Sequence, residues 1–247
     1  MARERRRLLI ATERLGAAAS GTGGLPQLQL TTEESHYVSR VLRLRDGQEL
    51  AIINGQGMLW GARLCGGDAR ARQLQLLQPI ATPESEATAS PFPITLAIAL
   101  PRRDSELLVR MACELGVDRL QPLVADHTVA ERFARQRLEA ILREATEQCE
   151  RLWIPELAEP CPSHGWLQGS QPGLKLPSPL SLLEDITAVP QPLQLAIGPE
   201  GGWSADEERL AEAGGWCAVG LSGSILRTST AAVAGIAMLC HWRDQLR

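Results

Sequence analysis

Beyond position 93 the apolar residues alternate between two patterns, short continuous runs and a helical spacing. The continuous runs predict buried strands at 94–100, 119–124, 193–197 and 216–221. The helical spacing predicts helices over 104–115, 132–151, 204–214 and 229–245. In the first of these helices, we expect Leu107, Leu108, Met111 and Leu115 to form the buried face. Alternating strands and helices are typical of a parallel sheet covered by helices, which predicts an α/β domain.

The first 78 residues have a different pattern, in which short strands alternate with turns. Strands are predicted at 49–53, 58–64 and 74–77, with a hairpin turn at Asn54-Gly55-Gln56-Gly57. One helix is predicted to begin at Thr31, which forms a capping box with Glu34, and to run to about Leu44. Its inward residues are Val38, Val41 and Leu42, and its outward residues are Arg40 and Arg43. The pattern favours a small β-barrel that carries one helix.

A polar, proline-rich stretch at 79–93 separates these two parts. Such a composition is typical of a linker. We therefore predict one domain over 1–78 and a second over 94–247.

The strand at 193–197 ends at Gly198-Pro199-Glu200-Gly201-Gly202, called the glycine loop below. The spacing of Ser204 and Glu207 predicts that a capped helix begins directly after it. In open parallel sheets, ligands bind in the crevice at the carboxyl ends of the strands. The loop lacks the spacing of a P-loop or of a dinucleotide fingerprint. We therefore predict a small ligand held by backbone groups.

A second loop, residues 221–231, also joins a strand to a helix and carries Thr228, Ser229 and Thr230. We call it the hydroxyl loop. If the two strands are neighbours, it lies beside the glycine loop, and Arg227 and Glu200 project into one crevice. The alternative is structural: the hydroxyls cap a helix and Arg227 pairs with Glu200. The presence of two such loops favours a binding site.

Charge is distributed unevenly along the chain. The first 80 residues hold 11 Arg against 7 acidic residues, whereas the whole chain has a net charge of −4. Arginine suits phosphate and base recognition, so the first domain is the candidate for nucleic-acid binding. Six cysteines and four histidines show no metal-ligand spacing, which predicts reduced, mostly buried thiols in a cytosolic protein and no metal. No run is long enough for a membrane span.

Five motifs in order resemble the small-subunit rRNA uridine-N3 methyltransferases of the RsmE type, in the SPOUT superfamily. The two loops provide Gly-Pro-Glu-Gly-Gly and Ile-Leu-Arg-Thr-x-Thr-Ala. The others are His36-Tyr-Val-Ser-Arg-Val-Leu-Arg with Asn54-Gly55, Glu114-Leu-Gly-Val-Asp with Pro122-Leu123, and Glu147-Gln-Cys-Glu-Arg with Pro155. The resemblance implies a trefoil-knotted parallel sheet with an N-terminal PUA-like β-barrel.

The resemblance also implies a function: S-adenosylmethionine-dependent methylation of N3 of one uridine in 16S rRNA, by a cytoplasmic homodimer acting on the small ribosomal subunit. The cofactor would contact Ile197, Gly198, Glu200, Gly201, Gly202, Leu221, Ser222, Ile225, Leu226 and Thr230. Arg227, Glu200 and Thr228 are the candidate catalytic residues, because N3 must lose a proton and its developing anion needs a cation. Arg7, Arg40, Arg43 and Arg151 are candidate RNA contacts, for which solvated surface arginines are the alternative.

Several positions depart from the family pattern. Ser229 stands where the family has a glutamate, Met111 where a lysine is common, and Ser222 where a glycine is usual. Leu176-Pro-Ser-Pro occupies a segment that often carries polar residues. Two alternatives therefore stay open: a non-catalytic rRNA-binding or ribosome-assembly protein on the same fold, and a SPOUT methyltransferase with a different RNA target.

Overall fold

The computed structural model describes residues 6–19, 26–68, 71–81, 92–129, 133–169, 174–175 and 193–245. They divide into two units, which are considered separately. The first unit consists of residues before position 90 together with 143–154, and the second contains the remainder. The inclusion of 143–154 in the first unit was not predicted from the sequence.

A five-stranded sheet in the order β1-β3-β4-β5-β2 forms the first unit. Its elements are β1 (Arg7–Leu9), α1 (Thr12–Ala19), β2 (Gln27–Gln29), α2 (Thr32–His36), β3 (Glu49–Ile53), β4 (Leu59–Asp68) and β5 (Ala71–Ala81). The hairpin between β3 and β4 is confirmed, and Asn54 Oδ1 closes its turn by accepting hydrogen bonds from the amides of Gln56 and Met58. Strand β5 extends further than predicted and includes 79–81, which were assigned to the linker; residues 82–91 lie outside the described part.

The core of the first unit follows the period-two alternation of its strands. Fully buried side chains from three strands are Leu50, Ile52, Ala62, Leu64, Leu74 and Leu76. The capping box of Thr31 and Glu34 is confirmed. However, α2 ends at His36 and a π-helical turn, Tyr37–Val41, follows. Val41 is 55% exposed, so its predicted inward position is wrong, because the wider turn changes the angular spacing that an α-helix would have. Arg40 and Arg43 are exposed, as predicted.

The segment 143–154 is hydrogen-bonded to the rest of the first unit. The amide of Leu9 donates to Glu147 Oε1 at 2.6 Å, and Arg7 Nη2 lies 3.2 Å from Glu150 Oε2. Gly55 has φ +72°, and a Cβ placed there would lie 2.5 Å from the side chain of Ile154. This close approach is the physical reason for a glycine at position 55.

A parallel sheet in the order β12-β10-β11-β6-β7-β8 forms the second unit. Its strands are β6 (Ile94–Ile98), β7 (Arg119–Val124), β8 (Glu156–Leu157), β9 (Cys161–Pro162, paired with β7), β10 (Leu174–Lys175), β11 (Leu193–Ile197) and β12 (Cys217–Ala218). Its helices are α3 (Ser105–Leu115), the part of α4 (Arg135–Gln148) that precedes position 143, α5 (Ser163–Leu167), α6 (Ala205–Ala213) and α7 (Thr228–Gln245). The predicted α/β alternation is confirmed.

Several details of the second unit differ from the prediction: β6 ends at Ile98 rather than at 100, and α4 covers Arg135–Gln148 rather than 132–151. The buried residues of α3 are Leu108, Val109, Ala112 and Cys113, whereas Leu107 is 48% exposed. Apolar residues occur around more than one side of this helix, so periodicity alone did not identify the side that packs against α7. Strand β12 is also shorter than the predicted 216–221.

Three further expectations concern chemistry and topology. None of the six cysteines forms a disulfide, but only Cys113 and Cys240 are buried, so the expectation of mostly buried thiols is wrong. No helix among the described residues has the length and apolar composition of a membrane span. The trefoil knot stays a prediction, because residues 176–192 lie outside the described part.

We expect Glu147 to make the stability of the protein depend on pH. Burial raises the pKa of its carboxyl to about 7, helped by Glu144 and Glu34 and opposed by the Leu9 amide and Arg143. A carboxyl pKa above its unfolded value stabilises the fold at low pH, and this contribution is lost as pH rises through about 7. Glu147→Gln stays neutral and still accepts the Leu9 amide. Chemical denaturation should show the variant gaining about 2 kcal/mol over wild type between pH 5 and pH 9.

Glu33→Gln is the matched control, because Glu33 is exposed on α2. Its unfolding free energy should follow that of wild type across the same pH range. Parallel curves for wild type and Glu147→Gln would contradict the assignment.

Candidate functional site

The glycine loop and the hydroxyl loop meet at the carboxyl edge of the parallel sheet. Between them lies a cavity of about 500 Å³, within the range of small-molecule sites. Its walls come from the end of β11 with the glycine loop, from residues 219–226, and from the start of α7. The predicted association of the two loops is therefore confirmed in the second unit.

The reason for this association differs from the prediction. We expected the strands that precede the two loops to be neighbours, but β10 pairs with both β11 and β12 and lies between them. The loops are instead joined at the start of α7, where Thr228 is buried and its Oγ1 donates a hydrogen bond to the carbonyl of Gly198 at 3.2 Å. The Thr228 hydroxyl thus links the two sides of the cavity.

Close packing shapes the glycine loop. Gly202 has φ +75°, a backbone conformation that residues other than glycine rarely adopt. A Cβ at Gly201 would lie 2.9 Å from the Cβ of His127. Gly202 N donates to the carbonyl of Pro199 at 2.9 Å, which closes the turn. The backbone at this edge of the sheet is therefore held in one conformation with few side chains covering it.

The helix that follows the glycine loop begins as predicted. Ser204 caps α6, and Glu207 completes the capping box by accepting the Ser204 amide at 2.8 Å. Glu207 is fully buried and also accepts the hydroxyl of Ser163 at 2.5 Å and the amide of Asp126 at 3.2 Å. Three donors thus satisfy one buried carboxylate, as burial of a charge requires.

A polar network extends from this carboxylate along the loop after β7. Asp126 accepts hydrogen bonds from the Ser204 hydroxyl and pairs with His164 at 2.9 Å. These two contacts, with the Ser204 hydroxyl as the larger, lower the pKa of Asp126. Asp126, His164 and Glu207 also present ligand atoms within 4.8 Å of one another. Their hydrogen bonds account for that clustering, so we assign no metal site there.

The structure places most of the predicted site residues on the cavity wall. These are Ile197, Gly198, Glu200, Gly202, Leu221, Ser222, Ile225, Leu226 and Thr228. Gly201, Arg227 and Thr230 are not among the lining residues. Arg227 is exposed, and within the described ranges no ion pair joins it to Glu200. The catalytic role of Arg227 stays a prediction.

Sequence reasoning did not identify the wall residues outside the two loops, which are Trp203, Glu208, Val219 and Gly220, and it did not single out Pro199, Gly223, Ser224 and Ala231 within them. Glu208 lies on α6, one residue beyond the capping glutamate, and no local motif marked it. Trp203 follows the glycine loop directly, and its position was the only available signal. Both carboxylates on the wall, Glu200 and Glu208, make it acidic.

The four arginines predicted to contact RNA have different surroundings in the first unit. Arg40 and Arg43 are exposed on and just after the π-helical turn. The side chain of Arg7 is only 15% exposed, and its Nη2 pairs with Glu150. Arg151 is partly buried. Arg40 and Arg43 are therefore the most accessible members of the predicted set.

The chain is similar to known proteins in both sequence and structure. The family described as "RNA methyltransferase domain" matches residues 88–240, and the family described as "RNA methyltransferase PUA domain" matches residues 30–67. A ribosomal RNA small subunit methyltransferase E from Synechocystis is 35% identical over 94% of this chain and 76% of the relative. Its namesake from Rickettsia conorii is 29% identical over 83% and 85%.

Solved structures share the fold. A methyltransferase from Legionella pneumophila, solved with bound SAM, superposes with a TM-score of 0.81 at 24% identity, over 97% of this chain and 98% of that one. A ribosomal RNA small subunit methyltransferase E from Neisseria gonorrhoeae, bound to S-adenosyl methionine, gives a TM-score of 0.79 at 23% identity, over 96% and 98%. These similarities confirm the predicted fold, which combines a PUA-like first unit with a SPOUT-like second unit.

Glu207→Ala should destabilise the protein, because it leaves the Ser204 amide, the Asp126 amide and the Ser163 hydroxyl without their acceptor. Removing the acceptor of several buried donors is expected to lower the free energy of unfolding by about 3 kcal/mol in urea denaturation. Glu212→Ala on the same helix is the control, since Glu212 is exposed, and should change it by less than about 0.5 kcal/mol. Equal effects of the two substitutions would show that the buried network does not hold the start of α6.

Proposed function

The chain belongs to the ribosomal RNA small subunit methyltransferase E family, and from this premise we propose that it methylates N3 of one uridine in 16S rRNA with S-adenosylmethionine as methyl donor. The observation that carries the proposal is the cavity between the glycine loop and the hydroxyl loop. The family match supports a function at this cavity, which two glycine-containing loops form at the carboxyl edge of a parallel sheet.

The cavity fits a ligand that joins a nucleoside to an amino acid. Glycine-rich backbone suits close approach of adenine, ribose and methionine groups, and the wall offers Ile197, Val219 and Leu226 for apolar contact. The Trp203 side chain adds an aromatic surface to the same wall. Glu200 and Glu208 add negative charge, which favours a cationic ligand. The related proteins from Legionella and Neisseria were solved with this cofactor.

Bound in this cavity, S-adenosylmethionine supplies a methyl group on a positively charged sulfur. We propose that two sets of residues bind the methyl donor. The glycine-loop side provides Ile197, Gly198, Gly201 and Gly202, and the hydroxyl loop provides Leu221, Ser222, Ile225, Leu226 and Thr230. Thr228 supports this site through its hydrogen bond to the Gly198 carbonyl. Because that hydroxyl already donates to the backbone, we assign Thr228 the task of joining the loops.

Proton removal from uracil N3 is the chemical demand that falls on the protein. N3 carries a weakly acidic proton, so a base must accept it while the methyl–sulfur bond breaks and the methyl–N3 bond forms. Glu200 is exposed at the mouth of the cavity and is our candidate base. Arg227 is exposed two residues after Ile225, and we assign it to the uracil carbonyls or to a phosphate. N3 lies on the pairing edge, so the uridine must be unpaired or flipped out.

We place the RNA contacts of the first unit on Arg40 and Arg43, with Arg7 and Arg151 as further candidates from the family resemblance. We also propose that the protein is a homodimer, because of its family, and that it is cytoplasmic, because its proposed substrate is ribosomal.

A competing function rests on Ser229. The family has a glutamate at that position, and a chain without a needed carboxylate would bind rRNA but not methylate it. Incubation with labelled S-adenosylmethionine and with small subunits that lack the modification tests this directly. Nucleoside mass spectrometry of the rRNA should detect N3-methyluridine. Subunit binding without methyl incorporation would favour the non-catalytic function, and methylation of another base or of tRNA would favour a different target.

Arg227→Ala is expected to slow methyl transfer by about 100-fold or more, because removing one group that stabilises a developing oxyanion typically has an effect of that size. The affinity for S-adenosylhomocysteine, measured by calorimetry, should stay within about 2-fold if Arg227 acts on the RNA substrate. Arg209→Ala is the control, since Arg209 is exposed on α6 and paired with Asp206. Near-normal turnover of Arg227→Ala on intact subunits would remove Arg227 from the reaction.

Arg40→Ala and Arg43→Ala should weaken rRNA binding and flatten its dependence on salt. Removal of one arginine–phosphate interaction reduces the slope of log affinity against log salt by about 0.7 to 0.9. Arg63→Ala is the control, because Arg63 pairs with Glu49 across the strands. Salt slopes that match wild type for both variants would place the RNA elsewhere.

A further inference from the structure

His127, in the loop after β7, contacts the end of the glycine loop. Its Nδ1 lies 3.0 Å from the carbonyl oxygen of Gly202. A Cβ added to Gly201 would lie 2.9 Å from the Cβ of His127, so His127 leaves no room for a side chain at position 201. We propose that His127 is a positioning residue that holds the glycine loop in the conformation that binds the methyl donor. This inference rests on the proposed function, because it assigns the glycine loop to that donor.

The loop that carries His127 is itself fixed at both ends. Thr128 closes a turn in which its hydroxyl accepts the Ala125 amide at 2.9 Å and its own amide donates to the Ala125 carbonyl at 2.9 Å. Asp126 is held by the Ser204 hydroxyl, by His164 and by the buried carboxylate of Glu207. His127 therefore extends from a rigid base towards the carbonyl of Gly202.

The two ends of the glycine loop are held by different parts of the second unit. Thr228 holds the carbonyl of Gly198 at the beginning, and His127 holds the carbonyl of Gly202 at the end. Pro199, Glu200 and Gly201 lie between these two carbonyls. Gly201 has no side chain to restrict its backbone. Without the hydrogen bond from His127, the end of the loop would sample more conformations before a ligand binds.

The contribution of His127 should therefore appear in ligand affinity more than in global stability. Its side chain is exposed, and an exposed hydrogen bond adds little to the free energy of unfolding. A loop that is already ordered binds more tightly because binding restricts its conformational freedom less. Nothing in the local sequence marked His127, since its partner is 75 residues away.

The test compares three substitutions of His127: one that keeps a hydrogen-bond donor at the same distance from the backbone, one that moves the donor further out and one that removes it. Asparagine carries its amide nitrogen on Cγ, as histidine carries Nδ1, whereas glutamine carries it one bond further. His127→Asn should therefore keep the affinity for S-adenosylhomocysteine within about 2-fold of wild type. His127→Ala and His127→Gln should weaken it by about 3- to 10-fold in titration calorimetry, the range of one hydrogen bond. His241→Ala on α7 is the control for removal of an exposed histidine.

Hydrogen–deuterium exchange of the ligand-free proteins provides the second measurement. Amides of residues 200–204 should exchange faster in His127→Ala than in wild type and His127→Asn, while the melting temperatures of all three stay within about 2 °C of one another. Equal affinity and equal exchange for wild type and His127→Ala would overturn the inference. If wild type does not bind S-adenosylhomocysteine, the proposed function fails, and the exchange measurement alone decides whether His127 positions the loop.

Discussion

The carboxylate of Glu207 is fully buried and accepts hydrogen bonds from three parts of the second unit: the start of α6, the start of α5 and the loop after β7. A buried carboxylate is tolerated only when its lone pairs are satisfied, so these three segments are bound to one another at that point. The start of α6 determines where the glycine loop must end. The loop after β7 in turn carries the residue that contacts the last glycine carbonyl. The geometry of the candidate site therefore depends on this carboxylate.

The cavity results from two loops whose strands are not neighbours. A strand of two described residues, Leu174–Lys175, lies between β11 and β12, and the Thr228 hydroxyl crosses to the glycine loop at the edge of the sheet. The wall of the cavity is formed largely by backbone, apolar side chains and two carboxylates. Such a wall suits a cationic ligand that is recognised by its shape and by backbone hydrogen bonds. We therefore interpret the cavity as the methyl-donor site of this methyltransferase. The residues that we assign to the RNA are Arg227 of the hydroxyl loop, which is exposed, and arginines of the first unit.

Local chemistry was sufficient to predict much of this arrangement. The Ser204 and Thr31 capping boxes, the strand at 193–197 and the hairpin at Asn54 depend on residues within a few positions of one another, and each was confirmed. The motifs of the two loops identified most of the cavity wall. Periodicity failed where a wider helical turn intervened, as at Val41, and where apolar residues surround a helix, as at Leu107. The insertion of β10, the association of 143–154 with the first unit and the contact of His127 with Gly202 all join residues far apart in sequence, and no local pattern encodes such pairs.

The central claim is that the glycine loop and the hydroxyl loop together form the methyl-donor site. A crystal structure of the protein grown with saturating S-adenosylhomocysteine tests this claim most directly. We predict ligand density between the two loops, against the backbone of Gly198 and Leu226, with the Thr228–Gly198 hydrogen bond intact. Density in any other cavity, or an empty cavity at a ligand concentration at which calorimetry shows binding, would contradict it.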